Sequence, residues 1–520
     1  MQSGDDVNST SLRTWLGFAM MCLGMFMAIL DIQVVATSLP TIQSALGVRP
    51  DQMSWVQTAY LIAEVIAIPL TGVLTRVMST RGLFVAAIGL FTLASAGCAA
   101  SQNFPSLLAF RILQGFSGGT LIPSVFAVVF LMFPAGAQGA ATTIAGVLAV
   151  LAPTVGPIVG GWITQTYSWH WLFLINIAPG VVAAIGGAVF LARGAANPLA
   201  LRTIDALGLA LMVIALTALE IGLKQAPDHG WLAPQVIGLL GLSAAASVGF
   251  VTRSLASRPP IVELRTMKDR NFAIGCILSF VLGIGLFGSV YLMPVFLALV
   301  RGHGALEIGE IMLVTGAAQL VTAPIAVALE RRIDARLLTA FGFALFGAGL
   351  AASAFETGQT DFSQMFWPQI ARGAAIMFCL LPPTRLALGR LEAAQVPDAS
   401  GLFNLMRNLG GAIGLALIDT VIFGRAPKLA QAIVAKLQNG DVPTAKAVGI
   451  PLAMFQAQGS GPIDAETANM LRPMVQHLAL VQAINEAWML VSALTLLALL
   501  TVPFARPERP ALSTAVLGPG

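Results

Sequence analysis

Residues 105–132 read PSLLAFRILQGFSGGTLIPSVFAVVFLM. One ionisable side chain, Arg111, interrupts this block. At 1.5 Å per residue, a helix of this length exceeds the roughly 30 Å of hydrocarbon in a bilayer. A soluble domain can hide one such block in its core, but working outward the pattern recurs along the whole chain. Apolar runs separated by polar, Gly/Pro or charged segments predict spans at 15–39, 53–75, 83–101, 105–132, 139–165, 171–192, 205–223, 232–252, 272–299, 306–330, 336–356, 363–390, 397–424 and 481–505. These are fourteen, an even number that places both termini on one side.

Composition agrees. Of 520 residues, 57% are hydrophobic and only 10% are Asp, Glu, Lys or Arg, against about 25% charged in a soluble domain. The expected class is therefore an all-α membrane protein with the lipid bilayer as its first partner. The net charge of +4 is scattered through short loops, which argues against nucleic acid. The four cysteines, Cys22, Cys98, Cys276 and Cys379, fall inside apolar blocks and read as small hydrophobes. No CxxC, HExxH or P-loop occurs, so no metal, cofactor or ATP site is expected. The apolar stretch after Arg13 is too long for a signal h-region and lacks an A-x-A site, so it reads as the first span.

Basic residues orient the spans. With the termini cytoplasmic, seventeen Lys/Arg fall on the inner side: Arg13, Arg76, Arg81, Arg193, Arg202, Arg253, Arg258, Arg265, Lys268, Arg270, Arg331, Arg332, Arg336, Arg385, Arg390, Arg506 and Arg509. Only three, Arg49, Lys224 and Arg301, fall in short outer loops.

A repeat is legible as well. Pro69 is followed seven residues later by Arg76, and Pro324 by Arg331. Arg111 near the outer end of the fourth span matches Arg372 in the twelfth, and the Gly-rich run 156–161 matches Gly410, Gly411 and Gly414. The consistent order pairs spans 1–6 with spans 9–14. It predicts an N-terminal six-helix bundle (1–192), an inserted transmembrane hairpin with a cytoplasmic linker (193–271), and a C-terminal six-helix bundle (272–520). The hairpin is expected against the outside of the bundles, away from the cavity between them.

Ionisable groups at membrane depth are functional candidates, because each costs about 2.5–3.5 kcal/mol on insertion scales. Asp31 lies about 24 Å above the inner start of span 1, and Arg111 roughly 9 Å below the outer start of span 4. They share a level, so each can offset the other's desolvation, and protonating the acid would free the arginine. A static pair fixing helix registry is the alternative. Glu64 sits near the midplane with no partner in its own helix; it suits a second proton site, a binder of cationic substrate, or a neutral hydrogen-bond donor. Arg372 and Arg407 are deep in the second half and suit an anionic substrate or a partner among Glu64 and Asp31. Asp419, Glu220, Glu310, Glu356 and Glu486 lie near span ends and read mostly as interfacial.

Several motifs carry a family likeness. Leu30-Asp31 with Leu39-Pro40-Thr41-Ile42, then Arg111-Ile112-Leu113-Gln114-Gly115, then Ala152-Pro153-Thr154-Val155-Gly156-Pro157-Ile158-Val159-Gly160-Gly161 appear in order. Trp169-His170-Trp171 with Phe173, Asn176 and Pro179 follows, and Ala399-Ser400-Gly401-Leu402-Phe403-Asn404 with Arg407 closes the series. The set resembles the fourteen-helix drug–proton antiporters of the major facilitator superfamily, with EmrB-like multidrug exporters the nearest type. The resemblance implies a major facilitator fold of two six-helix bundles plus two extra helices. It also implies export of small lipophilic or amphiphilic compounds against protons across a bacterial inner membrane. A periplasmic adaptor and an outer-membrane channel would be its partners. Gln114 and Asn404 join Glu64, Arg372 and Arg407 as cavity candidates, and Ala152, Pro153, Gly156, Pro157, Gly160 and Gly161 form the antiporter motif.

That motif has a physical reading of its own: Gly156 and Gly160 permit close helix approach, and Pro153 and Pro157 bend the helix. Ordinary packing is the alternative. The loop after span 2 departs from the family. It runs Gly72-Val73-Leu74-Thr75-Arg76-Val77-Met78-Ser79-Thr80-Arg81, with Arg76 where the family has an acid that helps latch the bundles. A symporter of the same fold and a polytopic membrane enzyme are the rival readings. The antiporter motif argues against the first, and the lack of clustered His or carboxylates at a membrane face against the second.

The segment 425–480 reads as a long periplasmic loop, broken at Gly440-Asp441-Val442-Pro443 and Gly459-Ser460-Gly461-Pro462. Ala430, Ile433, Val434 and Leu437 share a helical face in it. That apolar face needs a cover, either an adaptor or the chain's own bundle.

Overall fold

The computed structural model describes residues 11–47, 55–199, 205–257, 260–330, 332–451, 455 and 465–506. Arg49, Arg202, Arg258, Arg331, Arg509 and the break at 459–462 lie outside the described residues, as do the side chains of Pro40 and Thr154.

In hydrocarbon a backbone amide must find its partner within its own segment, and the described residues are helical throughout, with no strand. In chain order, the first half holds α1 (Leu12–Leu46), α2 (Trp55–Ala99), α3 (Phe104–Met132), α4 (Ala135–Thr166), the single turn α5 (Trp171–Leu174) and α6 (Ile177–Phe190). Next come α7 (Ala206–His229) and α8 (Pro234–Ala256). The second half holds α9 (Arg270–Phe296), α10 (Ala305–Glu330), α11 (Ala335–Ala352), α12 (Phe362–Leu388), α13 (Val396–Gln438), α14 (Val442–Val448) and α15 (Ala465–Leu497). Among the described residues, twelve helices are long and apolar enough to cross a membrane. α12, at 27 residues, is long enough but less apolar and is not one of them.

α2 is not a single rod. Ser79, at φ 67° and ψ 162°, breaks its helical geometry, and the Ser79 hydroxyl caps the second limb by accepting from Gly82 N at 3.3 Å. Both limbs reach the same turn of α3. The Tyr60 ring lies 4.3 Å from the Arg111 guanidinium, while Ser95 accepts from Gln114 Nε2 at 2.8 Å. Residues 35 apart can meet one helical turn only if the chain reverses between them.

Phe18, Met21, Tyr60, Phe84, Phe91 and Val125 centre one buried cluster in the first half. Leu282, Phe296, Phe343, Phe346 and Trp488 centre another in the second. A third joins the two, drawing Val73 and Val77 from α2, Met212 from α7, Phe272 and Cys276 from α9, and Leu402 and Phe403 from α13. The outer surface carries exposed Leu, Ile and Val, notably Leu232, Ile237, Leu242 and Val248 of α8. Half-exposed Trp162, Tyr167 and Trp171 meet edge-to-face and at a tilt, in the manner of an interfacial aromatic belt.

Two expectations change. The thirteenth span does not stop at 424, because α13 continues to Gln438, and α15 begins at Ala465 rather than 481. The expected end rested on Arg425 and Lys428, which lower the hydropathy there without ending the helix. At 1.5 Å per residue, α13 is about 65 Å long, roughly twice the apolar thickness. The segment 425–480 is therefore largely helical. Its apolar face is already covered: Ile433 and Leu437 pack on Ala445, Val448, Val475 and Ala479 of α14 and α15. The break at 440–443 is real, with Gly440 at φ 77° and Asp441 capping α14 through Thr444 N at 3.1 Å.

The second change concerns α7 and α8, the segment expected as an inserted hairpin outside the bundles. α8 lies outside, as expected, but α7 packs against α2 and α13, and Trp231 Nε1 donates to Thr420 Oγ1 at 2.9 Å. The outer end of α7 reaches inward. At the neighbouring rim, Arg301 bonds Asp361 Oδ2 at 2.8 Å and holds that carboxyl below its ordinary range.

Candidate functional site

Asp31 and Arg111 meet. Both are enclosed, at 1% and 0% exposure, and Arg111 Nη1 donates to Asp31 Oδ2. The other carboxylate oxygen accepts from Gln114 Nε2 at 2.9 Å and Asn176 Nδ2 at 2.7 Å. Arg111 also donates to Gln114 Oε1 at 2.7 Å and to Val56 O at 3.2 Å, with its guanidinium over Tyr60. The result is a desolvated ion pair tied to α1, both limbs of α2, α3 and the turn before α6. Protonating Asp31 would remove the charge that opposes Arg111 and loosen a network shared by all of these elements. Asn176, Tyr60 and Ser95 were not singled out for this role; Asn176 stood in a motif, and the other two carried no signal at all.

Beside this cluster lies a cavity of about 850 Å³. Its walls are mostly aliphatic and aromatic, among them Ile122, Leu282, Phe287 and Ile376, and Pro153 and Pro157 of the antiporter motif face it. Of the cavity candidates, Glu64 and Arg407 line it, whereas Gln114, Asn404 and Arg372 are not among the lining residues. Gln114 serves the Asp31 network. Asn404 accepts from Arg407 Nη2 and so positions it. Arg372 is buried over the Trp488 ring at 4.7 Å, with its Nη2 near Met293 Sδ, and bonds neither Glu64 nor Asp31. Glu356, expected at an interface, is buried near Arg372. Glu310 is exposed, and Glu486 pairs with Arg425 at 2.6 Å.

The hairpin corrects the expectation most sharply: Glu220, Leu223, Lys224 and Pro227 of α7 line the cavity. Glu220 was expected near a span end at the membrane interface; it lines the cavity instead. Asp419 and Tyr291 line it as well, joined by a 2.6 Å hydrogen bond.

The cavity is one-sided. On α2 it is lined by residues 57–65, and on α13 by residues 407–423. On the same helices, several turns away, Arg76 Nη1 pairs with Asp398 Oδ2 at 2.6 Å. Gly72 makes that approach possible, since a Cβ there would stand 1.6 Å from Asp398 Oδ1. Ser400 Oγ, two residues beyond Asp398, donates to Pro123 O at 2.9 Å. This end is shut. Arg81 begins the second limb of α2, just past the Ser79 break, and is half-buried.

In α4, Ala152 is fully buried against α1 residues, and a Cβ at Gly156 would come 2.4 Å from Gln33 Cβ. The same helix contacts the second half, where Gly309 of α10 leaves room for Ile158. Gly160 Cα carries no side chain, and its carbonyl accepts from Thr164 Oγ1 at 2.8 Å, as Gly161's does at 3.2 Å.

Residues 21–415 match the Major Facilitator Superfamily. The chain belongs to that superfamily. It is 40% identical over 410 residues to the colistin resistance protein EmrB of Acinetobacter baumannii, covering 78% of this chain and 80% of that one. It is 31% identical over 488 residues to the multidrug export protein EmrB of Escherichia coli K12, covering 93% and 94%. The fatty acid resistance protein FarB of Neisseria gonorrhoeae is 31% identical over 400 residues, covering 77% and 79%. The human organic anion transporter MFSD10 shares the fold, with a TM-score of 0.60 at 14% identity over 94% of this chain and 99% of that one. As a superfamily member, this chain is a multi-pass membrane transporter and not an enzyme.

Proposed function

We propose that this protein exports small lipophilic or amphiphilic compounds across a bacterial inner membrane in exchange for protons, with Asp31 as the coupling carboxylate and Arg111 as its counter-charge. The observation that carries this reading is the one-sided apolar cavity lying beside a fully buried ion pair. The multidrug-export names of its relatives support the substrate class. A transporter must expose its site to one face at a time, and a proton arriving at Asp31 would loosen the network that holds five elements together. Transport of lipophilic compounds by proteoliposomes under an imposed pH gradient tests it; the absence of gradient-driven transport of any such compound overturns it.

The topology that goes with this reading has fourteen crossings. Reversal at Ser79 makes α2 two crossings, and α12 adds one to the twelve. Residues 1–192 and 272–520 form the two six-helix bundles, and 193–271 the hairpin and linker. Both termini are cytoplasmic, as the distribution of Lys and Arg supports, so the cavity faces outward.

In this reading Arg76 and Asp398 are a charge-reversed latch on the cytoplasmic side, joining the loop after span 2 to span 13. Arg76 is 41% exposed, so the pair contributes only about 1 kcal/mol. Asp398→Ala is expected to favour the inward-open state by roughly fivefold, and Arg76→Asp alone somewhat more, by repulsion. The exchange Arg76→Asp with Asp398→Arg should restore most of the balance. Cysteine labelling from the cytoplasmic side reads the populations, and no recovery in the exchanged pair removes the latch.

The projection built from the end of α13, α14 and the start of α15 is the element placed to meet a periplasmic adaptor and, through it, an outer-membrane channel. Its apolar seam is filled by its own chain, so docking would use its polar outer surface. Deleting 428–476 across a short Gly/Ser bridge should leave proteoliposome transport within about twofold, because the cavity wall ends near Phe423, and should abolish resistance of whole cells. Loss of both activities would make the projection a cap instead.

A further inference from the structure

We propose that Glu64 of α2 and Glu220 of α7 together form a subsite for the cationic group of an amphipathic substrate, so that the helix outside the internal repeat contributes directly to specificity. The inference rests on reading this cavity as the substrate path.

The cavity's charged groups divide by whether the protein already satisfies them. Lys224 Nζ donates to Thr58 Oγ1 and lies 5.4 Å from the Trp55 ring centroid. Arg407 donates to Asn404 and lies 5.5 Å from the Phe126 ring. Asp419 accepts from Tyr291. Glu64 and Glu220 differ: both line the cavity, and neither accepts a hydrogen bond from another described residue. Glu64 is 5% exposed, so what remains accessible of it faces the cavity alone. The bond from Lys224 to Thr58 lies about one turn from Glu220 on α7 and under two turns from Glu64 on α2, so it brings the two carboxylates to the same stretch of the cavity wall.

Two carboxylates on one apolar wall, Glu64 buried and Glu220 partly buried, with no donor among the described residues, are costly without a cation beside them. An ammonium or phosphonium group between them would remove that cost, and an ammonium would add charge-assisted hydrogen bonds. The rest of the ligand would meet Ile122, Leu282, Phe287 and Ile376. A cavity of about 850 Å³ holds a drug-sized molecule.

Tetraphenylphosphonium and tetraphenylborate have nearly the same shape and opposite charge, and so separate charge recognition from packing. Their binding to the full-length protein in nanodiscs, without any gradient, is read by equilibrium dialysis. Glu220→Gln is expected to weaken tetraphenylphosphonium binding about tenfold or more and to leave tetraphenylborate binding unchanged or tighter. Glu220→Asp should recover part of the loss, and Glu64→Gln should resemble Glu220→Gln. Unchanged phosphonium affinity in Glu220→Gln, equal weakening of both ions, or no phosphonium binding by the unaltered protein would overturn the subsite. Phosphonium that binds but is not moved by a pH gradient would instead count against the transport reading and leave the subsite standing.

Discussion

Asp31→Asn stops proton-driven export while substrate exchange across the membrane continues. The substitution keeps the size of the side chain and removes the network's carboxylate, whose charge a proton would cancel. In the native site Oδ2 opposes the Arg111 guanidinium, and Oδ1 accepts from Gln114 and Asn176. An amide can keep part of this bonding but cannot carry the charge that protonation would cancel. Gradient-driven accumulation in proteoliposomes should fall to background, a loss of about 100-fold or more if coupling is worth a few kcal/mol. Counterflow without a gradient should stay within severalfold of the unaltered protein. Accumulation against a gradient by Asp31→Asn would show that Asp31 is not the coupling acid. Arg111→Ala should be the less stable protein, by about 3–5 kcal/mol, since it strips Asp31 of its counter-charge, empties the space over Tyr60 and removes a side-chain donor to Val56 O.

Gly156→Leu should arrest turnover without preventing membrane insertion. Hydropathy governs insertion, and leucine raises it. In the proposed mechanism turnover needs α4 to slide against α1, where even a Cβ at Gly156 would stand 2.4 Å from Gln33 Cβ. Leucine adds three more carbons, so α1 and α4 must separate, disturbing the seam beside Pro153 and the face of α4 that meets α10. Transport should fall by at least about tenfold, since overpacking costs 1–3 kcal/mol even where the structure relaxes. Gly160→Leu should act in the same direction through the G-x-x-x-G spacing. Efflux at the unaltered rate from a well-expressed Gly156→Leu protein would reduce α4 to passive packing.

How much of this was legible beforehand depends on the range of the interaction. Hydrocarbon thickness acts on about 20 consecutive residues, so the apolar blocks, the lone Arg111 and the depth it shares with Asp31 could be read directly from the chain. Close approach at Gly156 was legible for the same reason, as spacing along one helix. Asn176 reaches Asp31 across 145 positions and Asp398 reaches Arg76 across 322. No local pattern distinguishes either residue from a neighbour that touches nothing. The end of α13 was misjudged because hydropathy reports where a helix leaves the lipid and is silent on where its hydrogen bonding stops.

By itself, then, the sequence determined an all-helical membrane chain and the carboxylate and guanidinium that meet in its first half. Burying charge in hydrocarbon is too costly to occur without a partner or a purpose. Only the tertiary structure decided which of the deep charges share a cavity. It turned α7 so that Glu220 and Lys224 face the cavity, and it carried Arg372 away from it, over Trp488. The physical reason is rotation. A charge's depth follows from counting residues along a helix, but its direction follows from the helices packed around it, and those contacts are written at distant positions in the chain.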